Sequence, residues 1–254
     1  MLKVLITNYF LKGFYLANRS LDIYLLLVFL TLVAFLPSLL GQSIIGKILQ
    51  FITIPLFLIQ FGFWMSIPSF LVDKQQHKLI NYRNLVIITL RNAKRLIVPS
   101  IILSILFGIL ALLLIFYAAF SYAKSGGDPS QIIRAIQNLT QSLLRWNPVF
   151  FIFPALFSFF VFTSIYFSLE NKGFFGSVKR SVIFGFKNLN YIAIVFLIYA
   201  IFYSISSLFP PTFEVPLSAQ TNLGLLIRGI LGQYMFLIIV ASSLLYYQSK
   251  VKEI

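Results

Sequence analysis

The chain has 254 residues, 59% of them hydrophobic and 10% charged, with a mean hydropathy of +0.94 and a net charge of +14. That balance excludes an ordinary soluble domain, where about a quarter of the residues are charged. With no cysteine and a single histidine, His77, the sequence also lacks the donors for a disulfide framework, a thiol nucleophile, an iron–sulfur centre or a histidine metal cluster.

In chain order, six stretches carry no charged side chain: residues 23–46, 48–72, 96–123, 146–169, 188–213 and 229–249. A helix rises 1.5 Å per residue, so about 20 apolar residues cross roughly 30 Å of hydrocarbon, and each stretch is long enough. A β-barrel would instead alternate apolar and polar residues over segments of about ten. Ile101-Ile102-Leu103-Ser104-Ile105-Leu106-Phe107 does not alternate. The reading is an all-α polytopic membrane protein of six transmembrane helices, with amphipathic interfacial helices on the cytoplasmic side.

The first basic segment, carrying Lys3, Lys12 and Arg19, precedes the first span. A cleaved signal peptide has an apolar core of about 7 to 15 residues and a small-x-small site after it. The first span is longer and no such site follows, so it is expected to be retained. Between spans two and three, Leu79, Tyr82, Val86 and Leu90 are spaced 3, 4 and 4, which places them on one face of a helix. Phe175, Val178, Val182 and Phe186 repeat that spacing 96 residues later. At the same offset Arg83 meets Lys179, Ile87 meets Ile183, Arg91 meets Lys187 and Asn92 meets Asn188.

This pattern predicts a single integral membrane domain built of parallel repeats, about 1–72, 73–169 and 170–254, each an amphipathic helix followed by two spans. The N-terminal copy rests on Leu2, Leu5, Ile6, Tyr9 and Phe10. Between spans three and four, Ser125-Gly126-Gly127-Asp128-Pro129-Ser130-Gln131 has the residues of a helix start, with Asp128 to cap and Pro129 at the first turn. Ile132, Ile136, Leu139 and Leu143 then form an apolar stripe, expected to lie on the outer surface or cap the bundle. Asn138-Leu139-Thr140 matches a glycosylation sequon, which matters only in a secretory pathway.

Fifteen of the twenty lysines and arginines fall on the side that holds both termini and the connectors after spans two and four. Positive segments are retained in the cytoplasm, so the expectation is a multi-pass protein of the cell membrane with both termini cytoplasmic. The same placement assigns the net charge to topology and anionic lipid headgroups, with no nucleic-acid partner. A basic amphipathic stretch beside a membrane lies with its apolar face down, which makes Arg83, Arg91, Lys179 and Lys187 candidates to face headgroups. A plain packing connector is the other reading of these segments.

The acidic residues are Asp22, Asp73, Asp128, Glu170, Glu214 and Glu253, and none lies inside a span. Paired carboxylates, HExxH, Gly-x-Ser-x-Gly and P-loop patterns do not occur, so no catalytic, metal or cofactor residue is assigned. Asp73 and Glu170 are read as paired with Lys74 or Lys172, or as simple boundary marks, ahead of any catalytic role. Gln60, central in its charge-free run, and Gln233 on the last span are the candidate intramembrane polar residues. Such groups hydrogen-bond across helices or line a polar track for a solute. Pro55, Pro68, Pro99 and Pro154 are expected to kink or start helices.

The Ser177-Val178-Lys179-Arg180-Ser181 entry, Phe186-Lys187-Asn188 before span five, and a last helix ending Ala241-Ser242-Ser243-Leu244-Leu245-Tyr246-Tyr247 carry a resemblance. The chain resembles a six-span membrane-domain family that includes the membrane domain attached to some glycerophosphoryl diester phosphodiesterases, and stand-alone relatives. In that family the phosphodiesterase chemistry belongs to a separate soluble domain, which these 254 residues do not contain. The resemblance therefore implies a membrane domain without that activity. The expected function is a non-enzymatic scaffold, anchoring or regulatory component at the cytoplasmic membrane face, with a permease or channel for a small or lipid-like solute as the alternative. A continuous polar cavity containing Gln60 and Gln233 would favour transport. A dry bundle with exposed basic connectors would favour the scaffold.

Overall fold

In hydrocarbon a backbone polar group has no water to bond, so an apolar run satisfies its N–H and C=O groups internally as a helix. The computed structural model describes residues 5–40, 44–78, 81–124, 147–207 and 219–252, and among these no strand occurs. A π-helical segment, Ile6–Leu11, continues into α1 (Lys12–Asn18). The following helices are α2 (Leu21–Leu40), α3 (Ile44–Gln75), α4 (Tyr82–Lys124), α5 (Asn147–Phe160), α6 (Thr163–Leu169), α7 (Phe174–Lys187), α8 (Leu189–Ser207) and α9 (Ala219–Lys252).

Pro55–Gln75, Tyr82–Tyr117 and Gly229–Val251 are each long and apolar enough to cross a membrane. Two bent pairs raise the number to five if each is one span: Ile6–Asn18 with Leu21–Val33, bent by 72°, and Phe174–Lys187 with Leu189–Phe202, bent by 103°. Pro154–Leu169 is a shorter apolar stretch, broken between α5 and α6 at Val161 and Phe162. Pro55 and Pro68 sit inside α3, Pro99 inside α4 and Pro154 inside α5. The stretch 125–146, with its expected cap and apolar stripe, lies outside the described residues.

The core lies where α3, α6 and α9 meet, with Phe63, Ile67, Phe162, Ile165, Leu237 and Ile239 almost wholly buried. Around it the packing is cyclic. Helix α1 lies on α9, the first turns of α4 lie on α3, and α7 lies on α5 and α6. Each basic entry segment thus packs against the second long helix of the preceding third of the chain. Backbones approach closely at these crossings. A Cβ on Gly13 would stand 2.8 Å from the Ser242 Cα, and one on Gly62 would stand 2.7 Å from the Ala93 N, distances real Cβ atoms do not tolerate. Small residues permit such contact between membrane helices, where dispersion replaces the hydrophobic drive.

The entry segments bury their small and polar face. Leu85, Thr89, Asn92 and Ala93 are buried on α4, and Ser177, Ser181 and Gly185 on α7, while the apolar positions Tyr82, Val86, Leu90, Phe175 and Phe186 point outward. The two segments differ in one respect from the expectation of matched interfacial helices. From Tyr82 the chain runs as one helix of 43 residues into the long apolar stretch, with no break at Asn92. Helix α7 instead stops at Asn188, whose φ of −128° and ψ of 43° turn the chain into α8.

The difference follows from what each asparagine bonds. Asn188 Nδ2 donates to the Phe184 carbonyl at 2.8 Å, satisfying an acceptor at a helix end. Asn92 Nδ2 donates to Ser66 Oγ on α3 at 2.8 Å, so its amide is engaged across the crossing and the helix continues.

Candidate functional site

Helices α3, α5, α6, α7, α8 and α9 converge around a cavity of about 940 Å³, with Leu103 of α4 on one side. That is at the upper end of the roughly 300–1,000 Å³ typical of ligand pockets. Its wall is a chain of ring contacts. Phe174 meets Phe61 at 6.3 Å, Phe61 meets Trp64 at 6.2 Å, Trp64 meets Phe236 at 5.6 Å, Phe236 meets Phe157 at 6.1 Å, and Phe157 stacks on Tyr199 at 4.4 Å. Edge-to-face and stacked pairs of this kind add about 0.5–1.5 kcal/mol each beyond area burial, so the wall is stiff. Gly232 leaves the α9 side open, since a Cβ there would meet nothing within 4 Å.

Among the described residues no lysine, arginine, histidine, aspartate or glutamate lines this cavity. Three of its lining residues nevertheless carry buried polar atoms without a hydrogen-bond partner: Trp64 Nε1, Thr163 Oγ1 and Gln233 Oε1. Burying such a group unpaired costs about 1–3 kcal/mol.

The two intramembrane glutamines part company here. Gln60 is 7% exposed and donates to Thr31 Oγ1 on α2 at 3.4 Å, and Thr31 donates in turn to the Leu27 carbonyl at 2.8 Å. It ties α2 to α3 and does not line the cavity that holds Gln233. The polar track through both residues is therefore not formed by this cavity, which is aromatic and apolar instead.

One end of the bundle is a polar layer. Lys74 Nζ pairs with Asp22 at 2.6 Å, and Gln248 donates to Gln75 at 3.0 Å. Glu170 takes Arg180 at 2.5 Å and the Tyr247 hydroxyl at 2.6 Å, so its ionic partner comes from α7 and is neither Lys74 nor Lys172. Arg95 spans the junction between α4, α6 and α7. Its guanidinium lies 4.0 Å over the Phe167 ring and donates to Asn92 Oδ1 at 3.2 Å, to the Phe167 carbonyl and to the Lys172 carbonyl. Tyrosines tie α9 to the entry segments and to α8. Tyr234 donates to Asn18 at 2.5 Å and Tyr246 to Asn188 at 2.7 Å, while the Tyr191 ring, wholly buried, stacks on Tyr246 at 4.1 Å.

Arg83, Arg91, Lys179 and Lys187 are all exposed on the entry segments beside this layer, and Lys187 also borders a second, smaller recess of about 410 Å³ with Tyr9, Asn190 and Lys250. The sequence alone did not single out Trp64 or Thr163. A chain with 29 phenylalanines gives no local signal for which aromatic residues converge. Comparison with protein-family models, curated proteins and solved structures yields no match.

Proposed function

We propose that this chain is a six-span protein of the cell membrane, with both termini and the basic connectors cytoplasmic, that takes up a lipid-like molecule from the bilayer into its aromatic cavity. It acts as a binding or permease component and catalyses no reaction. The observation that carries this reading is the cavity of about 940 Å³ walled by rings from α3, α5, α7, α8 and α9. A lining that is uncharged and largely apolar among the described residues suits a solute already dissolved in hydrocarbon.

The test is photolabelling in nanodiscs with a long-chain alkane bearing a diazirine. Labelled peptides should come from around Phe61, Trp64, Phe157 and Phe236, and Gly232→Leu should suppress the labelling at least fivefold while leaving the protein folded. Labelling confined to the outer faces of α4 and α8 sinks the proposal.

A second reading keeps a specific observation. The exposed cations Arg83, Arg91, Lys179 and Lys187, with Lys94 and Arg180 beside them, give the bundle a basic end suited to anionic headgroups or an acidic partner, as a scaffold requires. Each such cation contributes about 1 kcal/mol near an anionic surface and is screened by salt. Changing all four candidates to glutamine should weaken enrichment of anionic lipid around the protein, measured by lipid analysis of native nanodiscs. Unchanged enrichment removes this role.

A further inference from the structure

Resting on the reading of the basic end as a surface for anionic headgroups, we propose that the recess of about 410 Å³ is a discrete site for a phosphate monoester, presented by the headgroup of an anionic lipid. It shares no lining residue with the aromatic cavity. Its walls come from the N-terminal segment, the bend between α7 and α8, and the last turns of α9. Among the described residues Lys187 and Lys250 line it and no carboxylate does.

The walls are held by bonds within the protein. Tyr246 donates to Asn188 Oδ1 at 2.7 Å, and Asn188 Nδ2 donates to the Phe184 carbonyl at 2.8 Å. Ser249 donates to the Tyr246 carbonyl at 2.7 Å, so the Tyr9 hydroxyl is the donor in its 3.1 Å bond to Ser249 Oγ. The Tyr9 ring also meets Tyr246 edge-on at 5.0 Å. Lys187 is the chain neighbour of Asn188, and Lys250 follows Tyr246 by one helical turn, so the Tyr246–Asn188 bond sets both lysine backbones beside the same recess. An ammonium is a donor only and rides on a flexible four-carbon stem, which lets both turn to one acceptor-rich anion in a space of this size. A phosphate monoester carries about two negative charges at neutral pH and answers both ammonium groups, whereas a diester or a carboxylate leaves one without a counter-charge. The surroundings favour a lipid over a soluble phosphate. Ile6, Phe186 and Leu189, each next in the chain to a lining residue, are exposed and apolar, which gives acyl chains a surface beside the site.

The test is native mass spectrometry of the full chain in detergent, titrated with dioleoyl phosphatidic acid, dioleoyl phosphatidylglycerol and glycerol 3-phosphate. Phosphatidic acid should form a single saturable adduct, about fivefold tighter than that of phosphatidylglycerol, and glycerol 3-phosphate at the same concentration should not displace it. Lys187→Gln and Lys250→Gln should each weaken the adduct about fivefold with an unchanged melting temperature, and Lys187→Arg should retain it. Arg83→Gln, Lys179→Gln and the cavity variant Gly232→Leu should leave it as it is. An adduct weakened as much by Arg83→Gln or Lys179→Gln overturns the discrete site and leaves the diffuse basic surface standing. Equal binding of the two lipids overturns the monoester assignment, and glycerol 3-phosphate binding as tightly as the lipid overturns the headgroup source. Absence of a saturable adduct overturns the site whether or not anionic lipid is enriched around the protein.

Discussion

Single side chains decide how closely these helices meet. At Gly62 the obstacle to a larger residue is the Ala93 backbone nitrogen and the Thr89 carbonyl, atoms that cannot swing aside. Gly62→Ala should therefore destabilise the fold by about 1–3 kcal/mol in a detergent-unfolding titration. Gly108→Ala, where nothing lies within 4 Å, should be neutral or stabilise by up to about 1 kcal/mol through its higher helix propensity. Gln60 and Gln233 make a second contrast. Gln60→Leu removes the bond to Thr31 and should lower stability by about 0.6–2 kcal/mol, whereas Gln233→Leu removes a buried oxygen that has no partner and should leave stability unchanged or raise it by up to about 1–3 kcal/mol. A Gln60→Leu, Thr31→Val double-mutant cycle measures the first directly, and additive single effects would show that the pair does not couple. Both glutamines were visible in the sequence as polar interruptions of apolar runs. Which of them had a partner was not, because that depends on the side chain across the crossing.

At the scale of elements, Asn188 holds the 103° bend between α7 and α8 by two bonds, its amide nitrogen to the Phe184 carbonyl and its oxygen from the Tyr246 hydroxyl. Asn188→Ala should loosen that bend. Spin labels at Lys179 and Leu197, both exposed, should then report a broader and longer distance distribution, and Asn92→Ala should leave the course of α4 as it is. An unchanged distance in Asn188→Ala would assign the bend to packing alone. A scan of labels along 82–93 and 174–187 should find lipid contact at Tyr82, Val86, Leu90, Phe175 and Phe186, and protein contact at Thr89, Ala93, Ser181 and Gly185. The 3, 4, 4 spacing of the apolar residues was legible beforehand. That the opposite, small-residue face carries the packing follows from the membrane setting, since lipid solvates leucine as well as a protein core does while only small and polar residues gain from close backbone contact.

For the whole molecule, the distribution of cations predicts one orientation, with both termini cytoplasmic. Reporters active on a single side of the membrane, fused at Gly126, Gly173 and the C-terminus, should give opposite signals at Gly126 and at the other two positions. An externally active fusion at Gly173 reverses the orientation. The cyclic packing, α1 on α9, α4 on α3 and α7 on α5 and α6, also means that the ring closes between the two ends of the chain. Gly13→Val, set against Ser242, should therefore loosen the N-terminal segment from α9 and expose Tyr9 and Tyr246 to proteolysis or aqueous quenchers, with α3 and α4 still paired.

The sequence by itself determined that the described chain is helical and that several of its helices are long and apolar enough to cross a membrane. Those properties follow from the length of charge-free runs and from the need to satisfy every backbone group inside hydrocarbon, and both are local. Only the tertiary structure decided that Asn92 lets a helix continue while Asn188 ends one, that Glu170 takes Arg180, and that rings scattered from Phe61 to Phe236 form one wall. In water a buried face announces itself by being more apolar than the exposed one. Here the outward face is at least as apolar as the inward one, so which faces converge on the cavity is set by close packing and by the partners of a few polar atoms.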